Sequence, residues 1–431
     1  MNKQYQICLF DDSHGLKLTT YQLTRPTYTI PMGMTNLVEK LHGYNRSVPI
    51  TLICDPSHDA LLKKRFRNLT LNQLNRSLPT LFINGRINFT AEQFETLING
   101  IQLDKNYLFI KEKTVLAIFC NDDLMANTFK LLQSHPTFDD IIKHNRSESV
   151  VEERHHIAIN NHWWDYIGHF PNFLSSDFSS YSKRSLVEAD ISSFSSLVND
   201  QNMFIDLSTK ISEYVSLDAS LGPIVIQDHV TIQPFSRIVG PCFVGSYSTI
   251  NSHSDIQSSY IGNHCKIGGE VKNSIIQSFT NKAHYGFIGD SLIGEWVNLG
   301  AGTTTSNLKV TYGDVQSKDG QFNAHQPTKR QFLGSMIGDY TKTSIQTGLD
   351  CGSVIGSGCT LLGHEIHEKF IPPFTWGRKG NYSHQDIGSF LTSVNRMMAR
   401  RNQALTDEES LRLKALYDAC RQTTPSTLVS N

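Results

Sequence analysis

Lys272, Lys282, His284, Tyr285 and Asn307 fall close together in the second half of this chain. A neutral imidazole, with an ordinary pKa of about 6.5, can take a proton from an attacking nitrogen near neutral pH. Transfer of an acyl group from a thioester to an amine needs that step. It also needs a positioned donor, usually a backbone N–H, for the oxyanion that develops. The glycine-rich corner Gly300-Ala301-Gly302 can supply such amides. Lys272 and Lys282 offer positive charge to a phosphorylated substrate or to the phosphates of a coenzyme. A lone loop histidine also has a plain reading, a packing or surface role.

A repeat must position these side chains. Ile226, Ile232, Ile238, Val244, Ile250 and Ile256 recur every six residues, and Ile261 and Ile267 resume the phase after one shortened step. Ile288-Gly289, Ile293-Gly294, Leu299-Gly300, Ile337-Gly338, Leu349, Ile355-Gly356 and Leu361 continue it. An aliphatic residue every six, often followed by Gly, predicts a hexapeptide β-helix whose aliphatic side chains point inward and whose small residues allow tight corners. Coils of this kind commonly assemble as trimers, and the bland reading is a rigid rod without chemistry. The stretch Gly269–Ile288 loses the phase, and a polar excursion follows Asn307 to about Gln331. Long loops on a rigid scaffold are where function tends to sit.

The first half alternates strand and helix. Tyr5–Phe10, Ile50–Cys54, Thr80–Ile83 and Val115–Cys120 read as buried parallel strands. Thr35–Leu41, Ser57–Phe66 and Thr90–Ile98 have helical spacing, with Thr90 and Gln93 forming a capping box. The expectation is an α/β domain over 1–145. A connecting segment follows over 146–215, with one helix near Leu186–Val198. The β-helix then runs over 216–380, and a helical tail over 381–431. In that tail Ile387, Phe390, Leu391, Val394 and Met398 share a face, and Thr406-Asp407-Glu408-Glu409 opens a second helix. Most such helices cap a solenoid; Arg400 and Arg401 have the alternative of reaching coenzyme phosphates or a neighbouring subunit.

Composition narrows the classes. A length of 431 residues predicts two or three domains, and 39 Lys+Arg against 40 Asp+Glu argues against a nucleic-acid binder. No apolar run approaches the roughly 20 residues that span a bilayer, and the first residues lack a secretory h-region. The eight cysteines, with no CxxC pair, fit reduced thiols in a cytoplasmic protein. His155, His156, His162 and His169 lack the spacing of a metal ligand set, and no metal ligands are expected.

The segments Lys282–Gly294 and Val297–Thr303, running on to Asn307, resemble the acetyltransferase core of the GlmU family, bifunctional N-acetylglucosamine-1-phosphate uridylyltransferase/glucosamine-1-phosphate acetyltransferases. The likeness runs from Glu270 to Asn307 and more loosely from Gly334 to Gly363. Glu295–Gly300, Ser306–Lys309 and Phe370–Gly377 are closer still to a GlmU-like sugar nucleotidyltransferase group. The resemblance implies a Rossmann-like nucleotidyltransferase domain followed by a left-handed parallel β-helix with terminal helices. It puts the general base on His284 and a sugar-phosphate lysine on Lys272. The substrate asparagine falls on Asn307, and the substrate tyrosine, loosely, on Tyr285. Ala301 and Ser344 fall where the family meets coenzyme A. The family's phosphate-binding arginine falls near Ser254, which carries no charge.

The resemblance also marks what the first domain lacks. The family's GxGTR loop is replaced by Asp11-Asp12-Ser13-His14-Gly15-Leu16-Lys17-Leu18, and its Mg²⁺-binding Asp by Arg86 in Leu81–Arg86. An arginine cannot ligate a hard cation. Arg25, in Leu23-Thr24-Arg25-Pro26, is left with two roles, a phosphate grip or an ion pair. The leading expectation is a homotrimeric acetyl-CoA-dependent N-acetyltransferase acting on an amino sugar phosphate or sugar nucleotide. The others are a bifunctional nucleotidyltransferase, the one reading that requires Mg²⁺, and a non-catalytic trimeric scaffold.

Overall fold

The computed structural model describes residues 4–15, 24–181, 190–318 and 325–423. It divides into two compact units, one formed by residues 1–19 and 25–161, the other by 20–24 and 162–431.

The first unit is built on a seven-stranded sheet. Its order is Thr70–Leu71, Ile50–Leu52, Gln6–Phe10, Thr80–Asn84, Thr114–Cys120, Tyr107–Lys111 and Val150–Glu153. The first four strands are mutually parallel, as their apolar runs predict. Thr114–Cys120 departs from that expectation, because it pairs antiparallel with both neighbours. Its seven buried residues fit either direction: a strand covered on both faces reads as continuously apolar whichever way it runs. Helices Leu37–Tyr44, Asp59–Arg65 and Ala91–Asn99 supply cover, and the Thr90/Gln93 capping box is present in full.

The second unit opens with the helix Trp163–Tyr181, which packs on the prism through Phe170 and Tyr260, ring centroids 6.1 Å apart. The helix expected near Leu186–Val198 is corrected. Asp190–Ile191 and Ser196–Val198 are strands, and 182–189 lie outside the described residues. The prism therefore begins within the expected connecting segment. Three parallel sheets form its faces, and their successive strands pair with the next coil in register. This is a left-handed parallel β-helix. Ile226, Ile232, Ile238, Val244, Ile250 and Ile256 are all 0% exposed, stacked along one apolar axis.

The break expected across Gly269–Ile288 is not a break in the coil. Val271, Ile276, Lys282 and Ile288 occupy successive interior positions, and strands pair throughout. The phase slips because a corner is shortened at Gly268-Gly269, where Gly269 has φ +75° and Gly268 lies against the Ala283 carbonyl. The excursion after Asn307 contains a hairpin of Gln316–Lys318 with His325–Pro327; 319–324 lie outside the described residues. The tail forms helices Ile387–Ala399 and Asp407–Thr423. Phe390, Val394 and Met398 are buried in one cluster with Trp296, Tyr340 and Phe374. No helix among the described residues is long and apolar enough to cross a membrane.

Candidate functional site

In the second unit, two groups of side chains flank the short strand Phe287–Gly289. Before it lies the corner holding His284 and Tyr285, both exposed. Asn281, Asn298 and Lys342 are aligned on successive coils, so His284 and Ala301 hold equivalent positions one coil apart. Their backbones are separated by the sheet spacing of about 4.8 Å. Gly302 N–H donates to the Tyr285 carbonyl (2.9 Å), and its φ of +78° leaves room for the tyrosine ring. Gly300, Gly302 and Thr303 all spend their amide protons within the prism, whereas the Ala301 N–H has no acceptor among the described residues. The His284 ring likewise has no hydrogen-bond partner among them. Ser344 lies two coils on from this corner, its hydroxyl donating to the Gly363 carbonyl at 2.7 Å.

Beyond the strand, Asn307 donates through Nδ2 to Asp290 Oδ2 (2.7 Å), and Asn273 reaches the other Asp290 oxygen at 3.3 Å. Burial raises the Asp290 carboxyl above the usual range, and the two amides, Lys272 and Arg330 offset this only in part. Lys272 itself is exposed on the neighbouring coil, in register with Gly289. Asn307 and Lys272 thus come together, separated from the His284 corner by the strand Phe287–Gly289, itself about 10 Å long by strand rise. Asp290 and Arg330 were missed as members of this group. The Ile288-Gly289-Asp290 triplet carries a signal, because an acid at a left-handed corner (φ +47°) beside an Asn is poised to be bonded. Ser254 is 2% exposed, with its hydroxyl on the Asn251 carbonyl at 2.5 Å.

Lys282 is corrected. Its side chain is 2% exposed and fills an interior position where its neighbours on the same face carry Ile250 and Ile267. Nζ donates to the carbonyls of Gly268 (2.5 Å) and His284 (2.9 Å). Burial pushes its pKa down to about 8, against a smaller upward pull from Glu270. It cannot meet a coenzyme from inside the prism; it holds the His284 backbone instead.

In the first unit, Arg86 and Asp12 form a buried ion pair. Nη2 lies 2.5 Å from Oδ2 and Nε 2.9 Å from Oδ1. Asn84 Nδ2 (2.9 Å) and the Gly15 N–H (2.8 Å) complete the shell on Asp12, and Arg86 Nη1 donates to Asn161 Oδ1 (2.5 Å). Burial pushes the Asp12 carboxyl up, and Arg86, with the Gly15 amide and Asn84, more than offsets it, so the group sits below the usual carboxylate range. Both oxygens being occupied by donors, these residues do not fit Mg²⁺. Arg25 is also corrected, because at 1% exposure its guanidinium is not open to a dissolved phosphate. Its neighbour Thr24 has a structural task. Thr24 donates N–H (2.9 Å) and hydroxyl (3.0 Å) to Asp339, and its carbonyl accepts from Arg412. Residues 16–18 of the expected phosphate loop lie outside the described residues.

Comparison with known proteins places a family match on the first part of the chain. Residues 7–185 match the family described as sugar nucleotidyl transferase. The bifunctional protein GlmU of Gloeobacter violaceus is 43% identical over 132 residues, 30% of this chain and 25% of that protein. GlmU of Thermodesulfovibrio yellowstonii is 32% identical over 165 residues, 37% of this chain and 33% of its own. Over these stretches the chain is similar to GlmU. It spans about a quarter to a third of the length of the GlmU proteins it matches. The UDP-N-acetylglucosamine acyltransferase of Francisella novicida aligns over 53% of this chain and 78% of its own, at 15% identity and a TM-score of 0.29. The parallel β-helix rests on its strand registers.

Proposed function

We propose that the protein is an acetyl-CoA-dependent acyltransferase that acetylates the amine of an amino sugar phosphate or a sugar nucleotide. The observation that carries this is the His284 corner, where an exposed imidazole without a partner among the described residues stands one coil from an unspent amide at Ala301. His284 takes the proton from the acceptor amine, and the Ala301 N–H donates to the oxygen that gains charge. Lys272 and Asn307 bind the acceptor's phosphate and hydroxyls, with Tyr285 against the sugar. Acetyl-CoA, when bound, supplies an activated acyl group; Ala301 and Ser344 border the place for its thioester. A homotrimer with this corner facing a neighbouring prism, and a cytoplasmic location, belong to the same reading. Uridylyl transfer through a metal has less support, because Arg86 occupies the oxygens of Asp12.

The test is release of free thiol from acetyl-CoA with glucosamine phosphates and amino-sugar nucleotides as acceptors. His284→Ala is expected to lower turnover by about 10²–10⁴-fold, the usual worth of a general base, with an unchanged melting temperature. Full turnover in that variant refutes the role of His284. No turnover by the wild type on any acceptor, from a stable trimer, favours a scaffold.

A further inference from the structure

The prism face that pairs Lys266–Ile267 with Asn281–Lys282 carries a second feature, at the other end of its strands from His284. A cavity of ≈ 260 Å³ lies between that face and the helix Ile387–Ala399. Lys266, Lys342, Arg396, Arg400 and Arg401 line it, and no carboxylate does. None of the five forms an ion pair among the described residues.

The fold holds these charges together deliberately. Phe390, Val394 and Met398 seat the helix on Trp296, Tyr340 and Phe374, and Arg396 and Arg400, one turn apart, line the cavity at its flank. Lys342 Nζ sits 5.6 Å from the Phe390 ring centroid, and Arg401 Nε donates to the His264 carbonyl at 3.4 Å. Burial lowers the Lys342 pKa to about 8, and burial together with Arg400 lowers that of Arg401. The helix C-terminus contributes only about half a negative charge, far short of five positive ones. Lys342 and Arg401 are therefore held at an electrostatic cost that a bound anion would relieve.

The walls say what kind of anion. Phe279 is stacked between His264 (centroids 5.0 Å apart) and Trp296 (4.2 Å), and Trp296 is 6% exposed, so neither offers an open face to a base. Asn281 Nδ2 donates to Asn298 Oδ1 at 2.7 Å, which leaves the Asn298 amide protons without an acceptor among the described residues. The volume lies below the roughly 300–1,000 Å³ of drug-sized ligand sites, and suits a compact, multiply charged group.

We propose that this cavity is a binding site for a diphosphate group, carried either by free pyrophosphate or by a nucleoside diphosphate. It stands whether or not His284 is catalytic.

Isothermal titration calorimetry on the full chain with inorganic pyrophosphate, then ADP, tests it. Wild-type protein is expected to bind pyrophosphate, with affinity falling steeply as salt is raised. Arg396→Gln/Arg400→Gln, at exposed positions, is expected to weaken binding at least tenfold while leaving the melting temperature unchanged. Lys342→Met, as a second variant, is expected to weaken it similarly. Tighter binding of ADP supports a nucleotide source, and equal or weaker binding of ADP supports pyrophosphate itself. Absence of binding at millimolar pyrophosphate, or undiminished affinity in both variants, overturns the proposal.

Discussion

The two units treat their chemistry-bearing side chains in opposite ways. In the first, the carboxylate of Asp12 is wholly consumed by Arg86, Asn84 and the Gly15 amide. In the second, the His284 ring and the Ala301 amide remain unspent at an outer corner of the prism. Buried charge has to be paired, and a paired group is costly to redeploy on a ligand. An exposed group on a rigid coil costs the fold little and stays available. The comparison teaches that one chain can spend its polar groups on folding in one unit and leave them available in another.

Breaking the ion pair gives the largest expected effect on stability. Arg86→Met leaves Asp12 buried without its counter-charge, and should destabilise the first unit by about 3–5 kcal/mol. Adding Asp12→Asn to that variant should recover most of the loss. Urea denaturation followed by far-UV circular dichroism measures both. If Arg86→Met unfolds at the wild-type midpoint, the pair is not structural and the contrast between the units fails.

The second prediction sharpens the contrast within the second unit, where Lys282 is a spent group serving unspent ones. Lys282→Met keeps the length of an interior side chain but releases the carbonyls of Gly268 and His284. Turnover should fall roughly 10- to 100-fold through misplacement of the His284 corner, in the same thiol-release assay, with little change in KM for acetyl-CoA. Stability should move the other way. The folded pKa of about 8 lies below the unfolded value of about 10.4. Between them the unfolded chain holds more protons, so the wild type gains stability as pH rises through that window. Below pH 8 the folded state carries the full cost of a buried cation, and Lys282→Met should be more stable by about 1–3 kcal/mol. That advantage should shrink from pH 8 to 10. Melting temperatures of both proteins across pH 7–10 check the sign; an advantage that grows with pH contradicts it.

Lys282 also shows where sequence reasoning stopped. The six-residue period was legible because each inward position rewards one aliphatic side chain, and 226 through 256 obey it without exception. Lys282 breaks the composition rule while keeping the position, so by residue type it reads as a loop cation. Only the register of Ile267 with Lys282 reveals it as interior. Arg25 was obscured for a similar reason, since its type speaks of charge and its environment of burial. The direction of Thr114–Cys120 left no trace in a strand buried on both faces. By contrast, that Arg86 cannot itself ligate a cation was readable from its type, because no arrangement makes a guanidinium into a ligand. Its engagement of Asp12 was not readable, being a contact between residues far apart in the chain.

The smallest expected effect concerns the corner itself. Gly302 is left-handed, at φ +78°, and a Cβ there would stand 3.0 Å from the Tyr285 hydroxyl and 3.2 Å from its ring. Gly302→Ala should cost about 1–2 kcal/mol for the backbone alone. The tyrosine, 64% exposed, can swing away from the added methyl, so the contact adds little further strain. What it should change is the acceptor site: KM for the amino sugar rises while kcat, set by His284 and Ala301, holds. If kcat falls instead with KM constant, Tyr285 acts at the reacting atoms and the division of roles along the strand Phe287–Gly289 is wrong.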